Sequence, residues 1–387
     1  MNNVDFVLNI YVVIGIAAIA QGIFLGLFMF FKKRKQKISA YLLGILLLIF
    51  AFILTHDVLS YSRYMLEVPH FLGLGPVFTF TIGPLIFLYI RFICIKNLKL
   101  KWVDLLHFAP TLIVFFSRID LFSMPINFKI EKLIKAFNTI DNNSFPNANI
   151  SELFQHFIIW HLQPLIYLLL SIYLIYKYNH AIKDQFSDIS KLRLHWMRNL
   201  LYGYLFIWFI ESALEIVPYL TSFINIYNKP VSIVLMSIHI YLFNIIALNH
   251  KDENIGILID KKLNDVFSKQ KLPDDELRLI HKKILKVFGD DKIYKDGRLT
   301  LKRVSKNIDI SSRYISLAIN TIEQKNFFDF VNGYRVNEAK ELLKNESYNK
   351  YTIAAIGELV GFNSRDAFYR AFKKEYNITP AAYKKSS

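Results

Sequence analysis

Over the first 249 positions the apolar residues do not alternate with polar ones; they run. Seven stretches, 6–31, 38–61, 71–93, 103–119, 156–178, 199–220 and 230–249, read as candidate membrane-spanning helices, because crossing hydrocarbon takes about 20 mostly apolar residues. The fourth is short and carries Asp104, His107 and Pro110. From position 250 the pattern changes. Leu277, Ile280, Ile284, Leu285 and Phe288 fall on one stripe at helical spacing, Asp274 or Asp275 can cap its start, and Gly289 stops it. Such a stripe suits packing on its own domain or a dimer seam, and both readings stay open at this stage. Downstream the apolar positions recur three or four apart in short blocks broken by turn residues, the pattern of small soluble helices.

The charge follows the same division. The net charge is +16; residues 1–249 hold 20 Lys and Arg against 12 Asp and Glu, and the shorter remainder holds 27 against 19. Cytoplasmic loops of membrane proteins collect Lys and Arg. Setting the run "KKRKQK" at 32–37 inside puts the N-terminus outside. The inside loops then gather thirteen basic residues, the outside loops five, and seven crossings leave residue 250 onward in the cytoplasm. The first apolar run has no preceding Lys or Arg and is longer than a signal-peptide core. Cys94, the only cysteine, excludes an intrachain disulfide and reads as a small packed hydrophobe.

Ionisable residues inside apolar runs are costly and face a bundle interior or a wet cavity. His56, Asp57, Glu211, Glu215 and His239 are of this kind, and Glu211 and Glu215, four apart, share a helix face. With this topology His56, Asp57, His161, Gln163 and Glu215 lie in the outer half. They, with Glu211, suit a pocket for a signal ligand, or hydrogen bonding that only ties the bundle together. No metal motif such as HExxH is present, and no set of residues has the arrangement of a catalytic site or calls for a cofactor. The outer stretch 120–155 is partly amphipathic and contains the turn cluster "DNNSFPN" and the short sequon "NIS" at 149–151; it reads as a lid or as an unstructured connector.

Sliding the C-terminal region by 52 residues reveals a repeat: "TLKRVSKNIDISSRYI" at 300–315 lies on "TIAAIGELVGFNSRDA" at 352–367. Thr300 and Thr352, Ser312 and Ser364, and Arg313 and Arg365 coincide, and apolar residues match apolar ones. In each copy Thr caps a short helix. Asp309 or Gly361 then supplies a left-handed turn. Ser311 and Asn363 are natural caps for the next helix, and Asn363 with Asp366 resembles a capping box. These are two helix-turn-helix units whose second helices, about 312–322 and 364–376, would enter major grooves of double-stranded DNA. Arg313 and Arg365 stand early in those helices, where arginine can grip guanine. Arg370, Lys373 and Lys374 suit phosphate oxygens. Between the units "NFFDFVNGYRVNEAKELLKN" at 326–345 reads as a spacer helix of roughly 28 Å, close to the ~34 Å between successive major grooves.

Residues 299–384 resemble the DNA-binding domain of the AraC/XylS family of bacterial transcription regulators. The stretches "ISSRYISLAIN", "FFDFVNGYRVNEAKELL", "TIAAIGELVGF" and "SRDAFYRAFKKEYNITPAAY" carry the resemblance. The whole layout is similar to membrane-bound regulators of that type in Bacteroidetes-like bacteria. The resemblance implies base-facing roles for Arg313, Ser316 and Leu317 in the first reading helix. In the second it implies contact roles for Arg365, Asp366, Tyr369 and Arg370. Leu317 and Asp366 depart from the polar or small residues common there, Gln324 and Asn377 replace turn glycines, and Gly357 replaces a helical alanine.

The sequence therefore predicts an all-α chain: a polytopic helical membrane domain at 1–249, a helical linker at 250–298 and an AraC-type double helix-turn-helix domain at 299–387. It predicts a membrane sensor that binds promoter DNA, with membrane lipids and an unknown signal ligand as further partners and a homodimer through the linker as an option. Two other readings stay open: a transporter or enzyme with an appended regulatory module, and an interaction scaffold that no longer binds DNA.

Overall fold

A computed structural model of the chain describes residues 6–31, 37–95, 98–141, 158–189, 194–220, 229–249 and 272–386. The basic run at 32–36, the turn cluster and sequon within 142–155, linker residues 250–271 and the side chain of Glu215 lie outside the described set. Every regular element among the described residues is helical; one isolated antiparallel bridge joins Phe186 and Thr300. The chain forms two compact units. The first comprises Met1–Ile175 and His195–Leu258, the second Tyr176–Leu194 and Ile259–Ser387. The second unit is therefore built from two separated pieces of chain, and the smaller piece comes from within the apolar half.

The first unit contains α1 (Ile10–Phe31), α2 (Lys37–Tyr61), α3 (Leu74–Cys94), α4 (Ala109–Ser117), α5 (Ile126–Asp141), most of α6 (Gln163–Ala181), α7 (His195–Leu220) and α8 (Lys229–Asn249). Among the described residues five helices are long and apolar enough to cross a membrane: Ile10–Phe31, Ile38–Tyr61, Leu74–Cys94, Trp160–Asp184 and Pro230–Leu248. The expected seven are not all of this kind. The stretch 103–119 is broken into a short helix at Trp102–Leu105, a 3-10 turn at Leu106–Phe108 and α4, with Pro110 in the first turn of α4. Its Asp104 is buried and paired with Arg91. Helix α7 has 26 residues, but Glu211 and Glu215 dilute its apolar run.

Helix α1 is apolar on all sides. Ala18, Leu25 and Met29 are buried while Ile16, Phe24 and Leu27 are exposed, the character of a helix with no aqueous face. It packs on α2 at Gly26 and Gly44, where a Cβ on Gly44 would come within 2.8 Å of the Gly26 carbonyl oxygen; small residues let two helix backbones approach this closely. Cys94 is fully buried, as its setting predicted. Over its described part the stretch 120–155 is not an unstructured connector. Residues 126–141 form the amphipathic helix α5, which buries Leu133 and Phe137 against Met65.

The second unit contains α9 (Asp274–Gly289), α10 (Leu301–Ile308), α11 (Ser312–Ala318), α12 (Phe327–Lys344), α13 (Ile353–Leu359), α14 (Arg365–Tyr376) and α15 (Pro380–Lys385). The α9 stripe packs on its own domain. Leu277, Ile284 and Phe288 are buried in one core with Val304, Ile315 and Phe330, and Ile280 packs against it, while Leu285 of the same stripe is 37% exposed. Pro273, not Asp274 or Asp275, holds the cap position of α9, and Gly289 ends the helix. The spacer α12 serves two cores: Phe327, Phe330 and Val331 belong to the first, Val336, Ala339 and Leu343 to the second. At 18 residues it is a rod of about 27 Å.

The repeat folds as paired helix-turn-helix units. The Thr300 hydroxyl accepts from the Arg303 N–H at 3.3 Å and that of Thr352 from Ala355 at 3.1 Å, satisfying donors that a helix start leaves free. Asp309 adopts φ 52° and Gly361 φ 101°. At Gly361 an added Cβ would meet the carbonyl oxygens of Tyr294 and Lys295 at 2.7 Å, so both the turn and the close approach exclude a side chain. Gln324 and Asn377 are left-handed too, at φ 53° and 58°. The caps of the reading helices differ from expectation. Ser311 makes no capping bond, and α14 is capped by Ser364, which accepts from Ala367 at 3.2 Å, rather than by Asn363.

By helix propensity alone a glycine at 357 in place of alanine costs roughly 1 kcal/mol. The packing reverses that reading, because a Cβ there would lie 2.8 Å from the fully buried Phe368 ring. Overpacking a core costs about 1–3 kcal/mol. Gly357→Ala is therefore expected to destabilise the unit, by about 1 kcal/mol net, as a lower thermal midpoint of the full chain. A raised midpoint would show that propensity wins.

Candidate DNA interface and cavity

On α14 the residues aligned with solvent are Arg365, Asp366, Arg370 and Lys373, all exposed, while Phe368 and Phe372 fill the core behind them. The Arg365 guanidinium lies 5.0 Å from the Tyr369 ring centroid. This cation–π contact braces a long, exposed side chain. Tyr369 packs against the second core. Lys374 is paired with Asp329 at 2.7 Å. On α11 Arg313 is half-buried and lies 5.5 Å from the Tyr314 ring; Ser316 lies 3.5 Å from the Asn320 amide. Leu317, expected to face bases, packs against the first core, so burial takes much of its surface away from any partner.

The sequence reading gave no role to Arg335, yet this residue organises the unit. It projects from the middle of α12 and is 1% exposed. Nε donates to the Tyr294 carbonyl at 2.7 Å; Nη1 donates to the Ser187 carbonyl and to Asn332 Oδ1 at 3.4 and 3.3 Å; Nη2 donates to Ser187 Oγ and the Asp296 carbonyl at 3.1 and 2.8 Å. The guanidinium also sits over the Phe362 ring of the second turn, 5.6 Å from its centroid. Burial lowers its pKa to about 10, opposed by the carboxylates of Asp188 and Asp296, so it stays charged at neutral pH. Nearby, burial alone would raise the Glu338 carboxyl. Hydrogen bonds from Lys295, Tyr294 and Lys292 outweigh that and hold it below the usual range. These bonds tie segment 292–295 to the spacer.

In the first unit, four of the polar residues expected in a pocket come together, whereas Gln163 instead donates to the Phe80 carbonyl at 3.0 Å. His56, Asp57, His161 and Glu211 line a cavity of about 470 Å³ with Arg118, Trp160, Tyr204, Trp208, Ser212 and His239. The Nδ1 atoms of His56 and His239 lie 3.6 and 3.8 Å from carboxylate oxygens of Asp57 and Glu211, and Ser212 Oγ lies 2.9 Å from His161 Nδ1. Arg118 sits over the Trp160 ring at 5.5 Å. Two carboxylates, three imidazoles and a guanidinium with aromatic walls suit a small polar ligand. Among the described residues no group of three or more His, Cys, Asp or Glu could hold a metal ion.

Residues 304–386 match the family model described as a helix-turn-helix domain. An 86-residue stretch is 30% identical to the regulatory protein PocR of Salmonella typhimurium, covering 22% of this chain and 27% of that protein. Two solved structures are similar over 28% of the chain. One is a protein of unknown function from Listeria innocua (29% identity, 96% of that chain, TM-score 0.25). The other is the C-terminal domain of the two-component response regulator yesN from Fusobacterium nucleatum (31% identity, 98% of that chain, TM-score 0.24). The C-terminal region of this protein is an AraC/XylS-type helix-turn-helix domain, a DNA-binding module.

Proposed function

We propose that the chain is a membrane-integrated transcription regulator: the first unit senses a signal, and the AraC-type unit binds promoter DNA. The observation that carries this reading is the presence in one chain of paired helix-turn-helix units and of helices apolar all round. The cavity is the candidate receptor site, with His56, Asp57, His161 and Glu211 in its wall and Glu215 one turn beyond Glu211. Arg313, Ser316, Arg365, Asp366, Tyr369, Arg370 and Lys373 are the proposed DNA-facing residues. Leu317 has at most a thymine methyl to read.

The packing of the second unit supports a seven-crossing path. Residues 182–189 pack on the DNA-reading unit, and a segment cannot reach that unit through a bilayer. A path using only the five long apolar helices would send 185–229 to the face opposite residue 250. Adding crossings at 103–119 and 199–220 returns that segment to the side where DNA is.

The test is binding of the full chain in lipid nanodiscs to duplex DNA across a salt series. Phosphate contacts make log K fall with log salt by about 0.9 per neutralised phosphate; with Arg370 and Lys373 engaged on phosphates the slope is expected at about −2 or steeper. A flat dependence or no binding would favour an interaction scaffold.

A further inference from the structure

The short piece of chain between α6 and α7 belongs to the DNA-reading unit. Ile182, Ser187 and Ile189 are 0, 1 and 2% exposed. The Gln185 carbonyl accepts from Leu301 N–H at 3.0 Å, satisfying a donor that the start of α10 leaves free. Ser187 donates twice to the Leu299 carbonyl, from its N–H at 3.2 Å and its hydroxyl at 2.7 Å. Arg335 grips the Ser187 carbonyl and hydroxyl. The Asp188 carboxylate accepts from the Asn363 amide at 2.6 Å, one residue before the cap of α14. Asn363 also donates to the Gly297 carbonyl at 2.6 Å, which explains why Ser364 has taken over the cap.

One segment therefore touches the start of the first helix-turn-helix, the spacer and the start of the second reading helix. Along the chain it is flanked by α6 and α7, and these helices supply Pro164, Tyr204, Trp208, Glu211 and Ser212 to the cavity wall. We propose that residues 182–189 are a docking element by which the membrane half completes the DNA-reading unit, holding its two reading helices in the spacing that DNA requires, and through which events at the cavity change DNA affinity. This rests on the regulator reading above. Docked, the segment caps α10 and anchors the turn before α14; undocked, it leaves Leu301 N–H, the Leu299 carbonyl and two Arg335 bonds without partners, and the two units lose their fixed relation. A shift of α6 or α7 moves the ends of this segment directly.

The experiment uses the full chain in its native membrane. In a Cys94→Ala background, Asp188→Cys/Asn363→Cys is treated with a short bismaleimide, and the intrachain link is read by mass spectrometry. Chromosomal DNA occupancy is then measured for Asp188→Ala, Asp188→Asn, Asn363→Ala and the double alanine variant. The proposal expects an efficient link. Asp188→Ala should lower occupancy about tenfold, the worth of one charge-assisted hydrogen bond. Asp188→Asn, which keeps an acceptor, should stay within twofold of wild type, and Asn363→Ala should add less than about twofold to Asp188→Ala, because both remove one contact. Absence of the link, or occupancy of Asp188→Ala that is unchanged or raised, overturns the proposal. If the wild-type chain occupies no chromosomal site, the regulator reading fails instead, and the link alone decides whether the dock exists.

Discussion

Replacing Arg335 with alanine is expected to unravel the DNA-reading unit while leaving the membrane unit folded. The side chain is buried and spends its N–H groups on the Tyr294, Asp296 and Ser187 carbonyls, the Ser187 hydroxyl and Asn332. Removing one side of a buried, hydrogen-bonded charged network costs about 3–5 kcal/mol, because the partners stay buried and unpaired. A domain's whole stability is only about 5–15 kcal/mol. Lysine is not expected to rescue, since a point charge cannot reproduce the planar fork that reaches three carbonyls in different directions. Hydrogen exchange on the full chain checks this. Amides of α10 to α14 should exchange at least about 100-fold faster in Arg335→Ala, while those of α1 to α3 stay unchanged. Unaltered exchange in α12 would show that the network contributes nothing to stability.

The second large effect concerns DNA itself. Arg365 is exposed, braced by Tyr369 and early in its helix; Arg313 is half-buried beside Tyr314. A bidentate arginine–guanine pair is worth about 1–3 kcal/mol, so the Arg313→Ala/Arg365→Ala chain should bind its sites roughly two orders of magnitude more weakly. The single change at Arg365 should account for the larger part, because Arg313 starts with less side chain free to reach a groove. Stability should shift little, since neither side chain fills a core and surface substitutions stay within about 0.5 kcal/mol.

Much of this unit was legible because local chemistry decides it. Thr300 and Thr352 cap as helix-start rules require, and Asp309 and Gly361 take the left-handed turn that the repeat demands. The cavity was legible for a related reason: an ionisable residue in an apolar run has few places to go, and His56, Asp57, His161 and Glu211 went to the same one. Arg118 and Trp160 escaped notice because they stand at the ends of apolar runs, where such residues are ordinary. The misses came from long-range contacts. Asn363 was a sound cap by type, but Asp188, 175 residues away in sequence, holds its amide, and Ser364 next door caps instead. Arg335 looked like one more basic residue on an amphipathic helix; only folding brings Ser187 and Tyr294 around it. Leu317 follows the resemblance in position but packs on the core. Of the seven expected crossings five are long apolar helices among the described residues; Pro110 and Asp104 break the stretch 103–119, and Glu211 and Glu215 dilute that at 199–220.

The central claim is that a membrane-held chain reads DNA through its paired helix-turn-helix units. Genome-wide crosslinking of the full-length protein to chromosomal DNA, beside the Arg313→Ala/Arg365→Ala chain at equal abundance, tests it most directly. The account predicts discrete promoter peaks for the wild-type protein that vanish in the double variant. Peaks that persist in the variant, or none in the wild type under varied growth conditions, would contradict it.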